Sequence, residues 1–184
     1  MSARPGPRYL PGDPEPAVRR ARMLRVDHAG EYGAVRIYAG QRAVLDGTPA
    51  EAALRHMAAQ EAEHLAAFDR LLPENRVRPT MLAPVWHVMG WLLGWTTARI
   101  GPEAAMACTV AVEEVIDRHY AGQAETLAAE DPALAATIEK FRQEEVAHRD
   151  AALAADAERA PAYPLLTAAV RGISRAAIRL SERI

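Results

Sequence analysis

Two short segments of this chain, Glu61-Ala62-Glu63-His64 and Glu145-Val146-Ala147-His148, set a glutamate and a histidine three residues apart where the surrounding pattern calls for apolar side chains. That placement constrains the fold more than any other feature. Apolar residues recur at steps of three and four along four stretches, the signature of a helix with one buried stripe. The first stripe runs Leu24, His28, Glu31, Val35, Tyr38, Arg42, Leu45, and the second Leu54, Met57, Glu61, His64, Phe68, Leu71. The third runs Met106, Val110, Glu113, Asp117, Tyr120, Ala124, Leu127, and the fourth Leu134, Ile138, Phe141, Glu145, His148, Ala152. Every stripe carries acid on its inward seam. The pattern predicts an all-α fold, a four-helix bundle made of two antiparallel hairpins.

The breaks support the pairing. Asp46-Gly47 ends the first helix, and Thr48-Pro49-Ala50-Glu51 offers an N-cap, a first-turn proline and a capping-box glutamate. Asp131-Pro132 does the same for the second hairpin. In an antiparallel hairpin, residues equally far from the turn lie at one height. The midpoint between Glu31 and the Glu61/His64 pair falls at Asp46-Gly47, and that between Glu113 and the Glu145/His148 pair falls beside Glu130-Asp131. The two halves form a weak internal repeat, with the glutamate steps Glu31 to Glu61 and Glu113 to Glu145 nearly equal.

One Glu-x-x-His is a common accident; two copies with two level glutamates are not. Six side chains, Glu31, Glu61, His64, Glu113, Glu145 and His148, then converge on the bundle centre. Four carboxylates in a core repel one another and lose hydration, at an effective cost of several kcal/mol per buried ion. Cations must neutralise them, and glutamate with imidazole suits iron or manganese, whereas structural zinc sites favour cysteine. Two iron ions are the expected cofactor. Helix phase separates neighbouring acids: Glu63 lies off its seam, Glu114 pairs with Arg118, and Glu145 is preferred to Glu144. Asp117 is read either as an orienting partner for a ligand histidine or as a surface acid, and His28 and His119 stay open. His56 and His87 are assigned to structure or surface.

Composition narrows the class. At 184 residues one domain is expected, over residues 17–184, behind a flexible proline-rich arm at residues 1–16. With 22 basic and 24 acidic residues the net charge is -2, which argues against nucleic acid. The single Cys108 excludes an intrachain disulfide framework and sits in an apolar run as a packing thiol. No secretory signal is visible at the start.

Between the hairpins, residues 81–98 form an uncharged stretch with Trp86, Trp91 and Trp95. It is borderline in length for a span and reads as a connector lying in a membrane surface, or else packing on the bundle. Over residues 161–184, Arg171, Arg175, Arg179 and Arg183 share one face while Ile173, Ala177, Leu180 and Ile184 occupy another, a basic amphipathic helix. The two together predict a peripheral membrane protein.

The segments LRVDHAGEYGAVRIYAGQ, ACTVAVEEVIDRHY and FRQEEVAHRD resemble the demethoxyubiquinone hydroxylase family over nearly the whole chain after the arm. The resemblance implies a ferritin-like di-iron domain, with the same six residues as iron ligands. It implies hydroxylation of a demethoxylated quinone-type lipid in the penultimate step of ubiquinone biosynthesis. Dioxygen would be the oxidant, with reducing equivalents coming directly or indirectly from NADH. It gives Tyr120 a relay role for electrons or protons, beside its plain role as a packed tyrosine. The implied place is the cytoplasmic face of a bacterial inner membrane, or the matrix face of the mitochondrial one, with biosynthetic partner proteins or further copies of the chain as candidate partners. The same bundle would also serve an iron-oxidising storage protein or a di-iron hydroxylase of another substrate. The apolar insert speaks against storage.

Overall fold

The computed structural model describes residues 14–184. The expected arm lies outside the described residues up to residue 13, and the first helix starts at Pro16, at the arm's end. Six α-helices follow: α1 (Pro16–Leu45), α2 (Glu51–Glu74), α3 (Ala83–Ile100), α4 (Pro102–Leu127), α5 (Pro132–Ala154) and α6 (Tyr163–Ser181), with a single 3-10 turn at Ala157–Arg159 before the last. No strand occurs among the described residues. The all-α, ferritin-like reading holds: α1/α2 and α4/α5 are the two hairpins of the bundle, and α3 and α6 are added to it.

Proline at a first-turn position opens α1, α3, α4, α5 and α6, where its missing N–H is not needed. Asp131 caps α5 as expected, its carboxylate accepting from the Leu134 N–H at 3.1 Å. The first turn differs in detail. Thr48 turns its hydroxyl back to the Leu45 carbonyl at 2.6 Å, and Glu51 accepts from the Gly47 N–H at 2.9 Å. Both side chains therefore close the end of α1, and α2 begins two residues later than a capping box would place it.

The core falls into three clusters, one of them Ile37, Cys108, Ala111, Val112 and Val170 where α1, α4 and α6 meet, and the other two at the ends of the hairpins. Near the first turn, Tyr38, Leu45, Leu54, Met57, Met106 and Ala152 pack together; near the second, Leu24, Phe68, Leu127, Leu134, Ile138 and Phe141 do so. Each fully buried aliphatic or aromatic side chain contributes roughly 1.5–3 kcal/mol. The acid and histidine layer lies between these two clusters, held from both ends.

The connector does pack on the bundle. Helix α3 lies along α1 at a distance set by small residues: a Cβ at Gly94 would overlap the Ile37 carbonyl, and one at Gly40 would overlap the Trp91 carbonyl. Its other side is open, with Met81, Val85, Val88, Met89 and Leu92 exposed. Helix α6 joins it, since Trp86 Nε1 donates to Ser181 Oγ at 3.1 Å and the Met81 N–H to the Ile184 carbonyl at 3.2 Å. No helix among the described residues is long and apolar enough to cross a membrane.

Gly94→Ala is expected to force α1 and α3 apart and destabilise the protein by about 1–3 kcal/mol. Gly122→Ala, at an exposed position of α4 where a Cβ meets nothing within 4 Å, is expected to stabilise it by roughly 1 kcal/mol. Thermal unfolding reads both, at about 2–4 °C per kcal/mol.

Candidate metal centre

All six expected residues face one another. Glu31 comes from α1, Glu61 and His64 from α2, Glu113 from α4, and Glu145 and His148 from α5, each no more than 2 % exposed. They fall into two groups whose ligand atoms lie within 4.8 Å of one another: Glu31, Glu61, His64 and Glu145 in one, Glu61, Glu113, Glu145 and His148 in the other. Glu61 and Glu145 belong to both.

The imidazoles point their Nδ1 atoms inward. His64 Nδ1 lies 3.0 Å from Glu145 Oε1 and 3.6 Å from Glu31 Oε2. His148 Nδ1 lies 3.1 Å from Glu61 Oε1 and 3.2 Å from Glu145 Oε2. The outer nitrogens are separately engaged, His64 Nε2 with Glu144 Oε2 at 2.7 Å and His148 Nε2 with Gln60 Oε1 at 3.0 Å. Carboxylate and amide oxygens only accept, so the Nε2 atoms donate to them, and the Nδ1 atoms face the carboxylates of the centre.

Two tyrosines cross between the halves. Tyr38 on α1 donates to Glu113 Oε1 at 3.0 Å, and Tyr120 on α4 donates to Glu31 Oε1. Each follows its own helix's glutamate by seven residues, Tyr38 after Glu31 and Tyr120 after Glu113, so the repeat extends to them. Tyr38 stands on the first stripe as a packing residue, and the equal offsets are the sequence signal for its contact.

Burial sets the protonation. It lifts the carboxyls of Glu31, Glu61 and Glu113 above the ordinary value, with neighbouring carboxylates adding to the effect. Burial disfavours charge on His64 too, but hydrogen bonds and charge from Glu145 and Glu31 outweigh it and raise its pKa to about 11. For Glu145, burial is overcome by hydrogen bonds from His148 and His64, which bring it down to about 2. Burial also raises Tyr38 and Tyr120 well above the usual tyrosine value, keeping both hydroxyls protonated as donors.

Several inner oxygens have no hydrogen-bond partner: Glu31 Oε2, both oxygens of Glu61 and Glu113 Oε2. Buried polar atoms are nearly always paired, and so many orphans facing one point are what a cation would complete. The donor set, four carboxylates and two imidazoles, fits divalent metal.

The remaining candidates go elsewhere. Asp117 pairs with Arg142 at 2.8 Å, and Glu114 with Arg171 at 2.9 Å more closely than with Arg118 at 3.7 Å. His28 bonds Asp69 at 3.0 Å, and His119 lies 3.3 Å from the buried Asp27, which also accepts from Gln123 at 2.7 Å. His87 accepts from or donates to the Tyr32 hydroxyl at 2.6 Å on the surface, and His56 is exposed. Burial pushes the Cys108 thiol up to about 12, which leaves it inert. Sequence reasoning missed the Asp27 cluster, because one acid beside an apolar seam carries no periodic signal.

A cavity of about 350 Å³ opens between α1, α3 and α6, lined by Gly33, Ile37, Leu93, Val112, Ile173 and Ala177 among others. Gly30 and Val112 line it too, each next in sequence to a glutamate of the cluster.

The family model described as ubiquinone biosynthesis protein COQ7 matches residues 19–181. The chain belongs to the COQ7 family. Among curated COQ7-like relatives, it is 53 % identical over 176 residues to the 3-demethoxyubiquinol 3-hydroxylase of Rhodospirillum rubrum, covering 95 % of this chain and 83 % of the relative. It is 53 % identical over 167 residues to the NADPH-dependent 3-demethoxyubiquinone 3-hydroxylase, mitochondrial, of Homo sapiens, covering 89 % and 77 %. To the 5-demethoxyubiquinone hydroxylase, mitochondrial, of Saccharomyces cerevisiae it is 41 % identical over 180 residues, covering 89 % and 77 %. The matched span contains all six cluster residues and both tyrosines.

Raised carboxyls bind more protons in the folded than in the unfolded chain, and so does the raised His64, so folding stability falls as pH rises. The metal-free protein is expected to lose stability steadily above about pH 4.5, the ordinary glutamate value, while the depressed Glu145 acts only below it. Thermal unfolding from pH 5 to 8 checks this, and Glu61→Gln, which removes one raised group, is expected to flatten the slope.

Proposed function

We propose that this COQ7-family chain is a di-iron monooxygenase that hydroxylates the ring of a demethoxylated ubiquinone precursor. The observation that supports it is the pair of buried Glu/His groups sharing Glu61 and Glu145. In this reading Glu31 and His64 hold one iron, Glu113 and His148 hold the other, and the shared carboxylates serve both. Iron bound there supplies reductive activation of dioxygen at the site.

The chain's own residues do the rest. Tyr120 and Tyr38 hold Glu31 and Glu113 through their hydroxyls, and the raised tyrosine pKa values keep those protons in place. In this reading Tyr120 orients Glu31 through that hydrogen bond. The two apolar clusters keep water from the layer on both sides. The electrons come from a reduced nicotinamide nucleotide, NADH or, as the names of several relatives specify for themselves, NADPH.

The cavity between α1, α3 and α6 takes the quinone. Its volume is within the range of sites for small ligands, and its walls are apolar, as a ring with a long isoprenoid tail requires. The exposed apolar side of α3, with Ile173, Leu180 and Ile184 of the C-terminal segment, lies on the membrane, while Arg175 and Arg179 meet anionic headgroups. A chain carrying this surface acts as a peripheral membrane protein, on the cytoplasmic side in a bacterium. An iron-storage role would leave both cavity and apolar face without use.

Iron-loaded protein given demethoxyubiquinone, oxygen and either nicotinamide nucleotide is expected to yield the ring with one added oxygen atom, read by mass. An intact di-iron spectrum without product sinks the substrate assignment. Glu61→Ala, which removes a carboxylate common to both groups, is expected to weaken iron binding by more than about 100-fold and abolish product.

Arg175→Gln with Arg179→Gln is expected to lower binding to anionic phospholipid vesicles about 30-fold, taking about 1 kcal/mol for each cation. Iron content should not change. Sedimentation with vesicles measures the first and metal analysis the second.

A further inference from the structure

The repeat that relates the two hairpins breaks at one chemically decisive position. Gln60 precedes Glu61 and Glu144 precedes Glu145, so the two residues occupy equivalent places, each four residues before a cluster histidine. Both reach across the bundle to the other hairpin's imidazole. Glu144 accepts from His64 Nε2 at 2.7 Å, and Gln60 from His148 Nε2 at 3.0 Å. One imidazole is thus backed by a carboxylate and its counterpart by a neutral amide.

We propose that Glu144 and Gln60 are positioning residues that make the two metal positions unequal, the His64 side binding its ion more tightly and donating more electron density to it. The proposal rests on the two-ion reading of the cluster. A carboxylate on the outer N–H polarises the imidazole and strengthens the lone pair of Nδ1; an amide oxygen does so more weakly. The shorter contact at Glu144 agrees with the stronger bond. Lys140 lies 3.5 Å from the other oxygen of Glu144, which orients the carboxylate without removing its charge.

The remaining polar surroundings are nearly matched, the rings differing in aromatic contacts, with Phe141 centred 4.2 Å from His64 and Tyr38 centred 6.4 Å from His148. Each side has one terminal glutamate, Glu31 or Glu113, each accepting from a tyrosine, and each has the same two shared carboxylates. The asymmetry is therefore concentrated in the residues behind the imidazoles. A consequence is order: the first ion would be held by the His64 side.

Anaerobic titration of the metal-free full chain with ferrous ion tests this. The wild-type isotherm is expected to show two steps separated by about 10–100-fold, the usual effect of such outer partners. Glu144→Gln should weaken the tighter step by a similar factor, and Gln60→Glu should strengthen the weaker one, each bringing the steps together. In the di-ferrous protein, Mössbauer spectra should show two unequal iron environments that converge in Gln60→Glu. A merely structural role for position 60 would not raise affinity, and that variant keeps the test open should Glu144→Gln fold poorly. Equal wild-type steps, a first equivalent seated beside His148, or an unaltered isotherm in Gln60→Glu overturns the proposal alone. A wild-type chain that takes up no ferrous ion overturns the two-ion reading and this inference with it.

Discussion

Everything in this molecule is arranged around the burial of four carboxylates and two imidazoles in one layer. Such a layer works against folding, since burial alone disfavours charge on each member and the carboxylates repel one another. The chain sustains it by sealing both ends with apolar clusters and by giving each outer polar atom a partner. Several inner oxygens are left without one. Protons on Glu31, Glu61 and Glu113, together with the charged His64–Glu145 contact, relieve the repulsion in the metal-free chain. Cations at the same place relieve it more fully, which ties metal affinity to proton release.

The layer is organised by a rough twofold relation between the hairpins. Glutamates, Glu-x-x-His pairs and tyrosines all repeat, and the supporting contacts run across: Tyr120 to Glu31, Tyr38 to Glu113, Glu144 to His64, Gln60 to His148. Crossed support has a mechanical effect. No hairpin can shift without dragging the partners that hold the other's ligands, so the geometry is over-determined. Where the relation fails, at Gln60 and Glu144, it fails in chemistry and keeps the contact.

Helices α3 and α6 add an apolar face to this bundle. Helix α3 gives its small residues to α1 and its large ones to the outside, and an apolar cavity lies between α1, α3, α4 and α6. Proximity to α1 and exposure on the far side are two uses of one largely apolar helix. A polar connector would have done neither.

The four-helix plan, the hairpin pairing and the convergence of six side chains were legible in the chain as written, because periodicity and turn chemistry are local and level residues follow from counting. Asp131 at its cap and the cores of the four stripes needed nothing more. Local rules did not settle the first turn, where Thr48 and Glu51 serve the end of α1, nor the partners of Asp117, His28 and His119. They also left residues 81–98 between two readings, and coordinates show an apolar helix packed on α1 by glycine contacts. Which oxygen lies behind each imidazole, which tyrosine holds which glutamate, and that an apolar cavity opens beside α1 were decided only by tertiary structure. Those contacts join residues distant in sequence, such as His64 and Glu144, and depend on how helices are rotated and spaced, which no single stretch encodes.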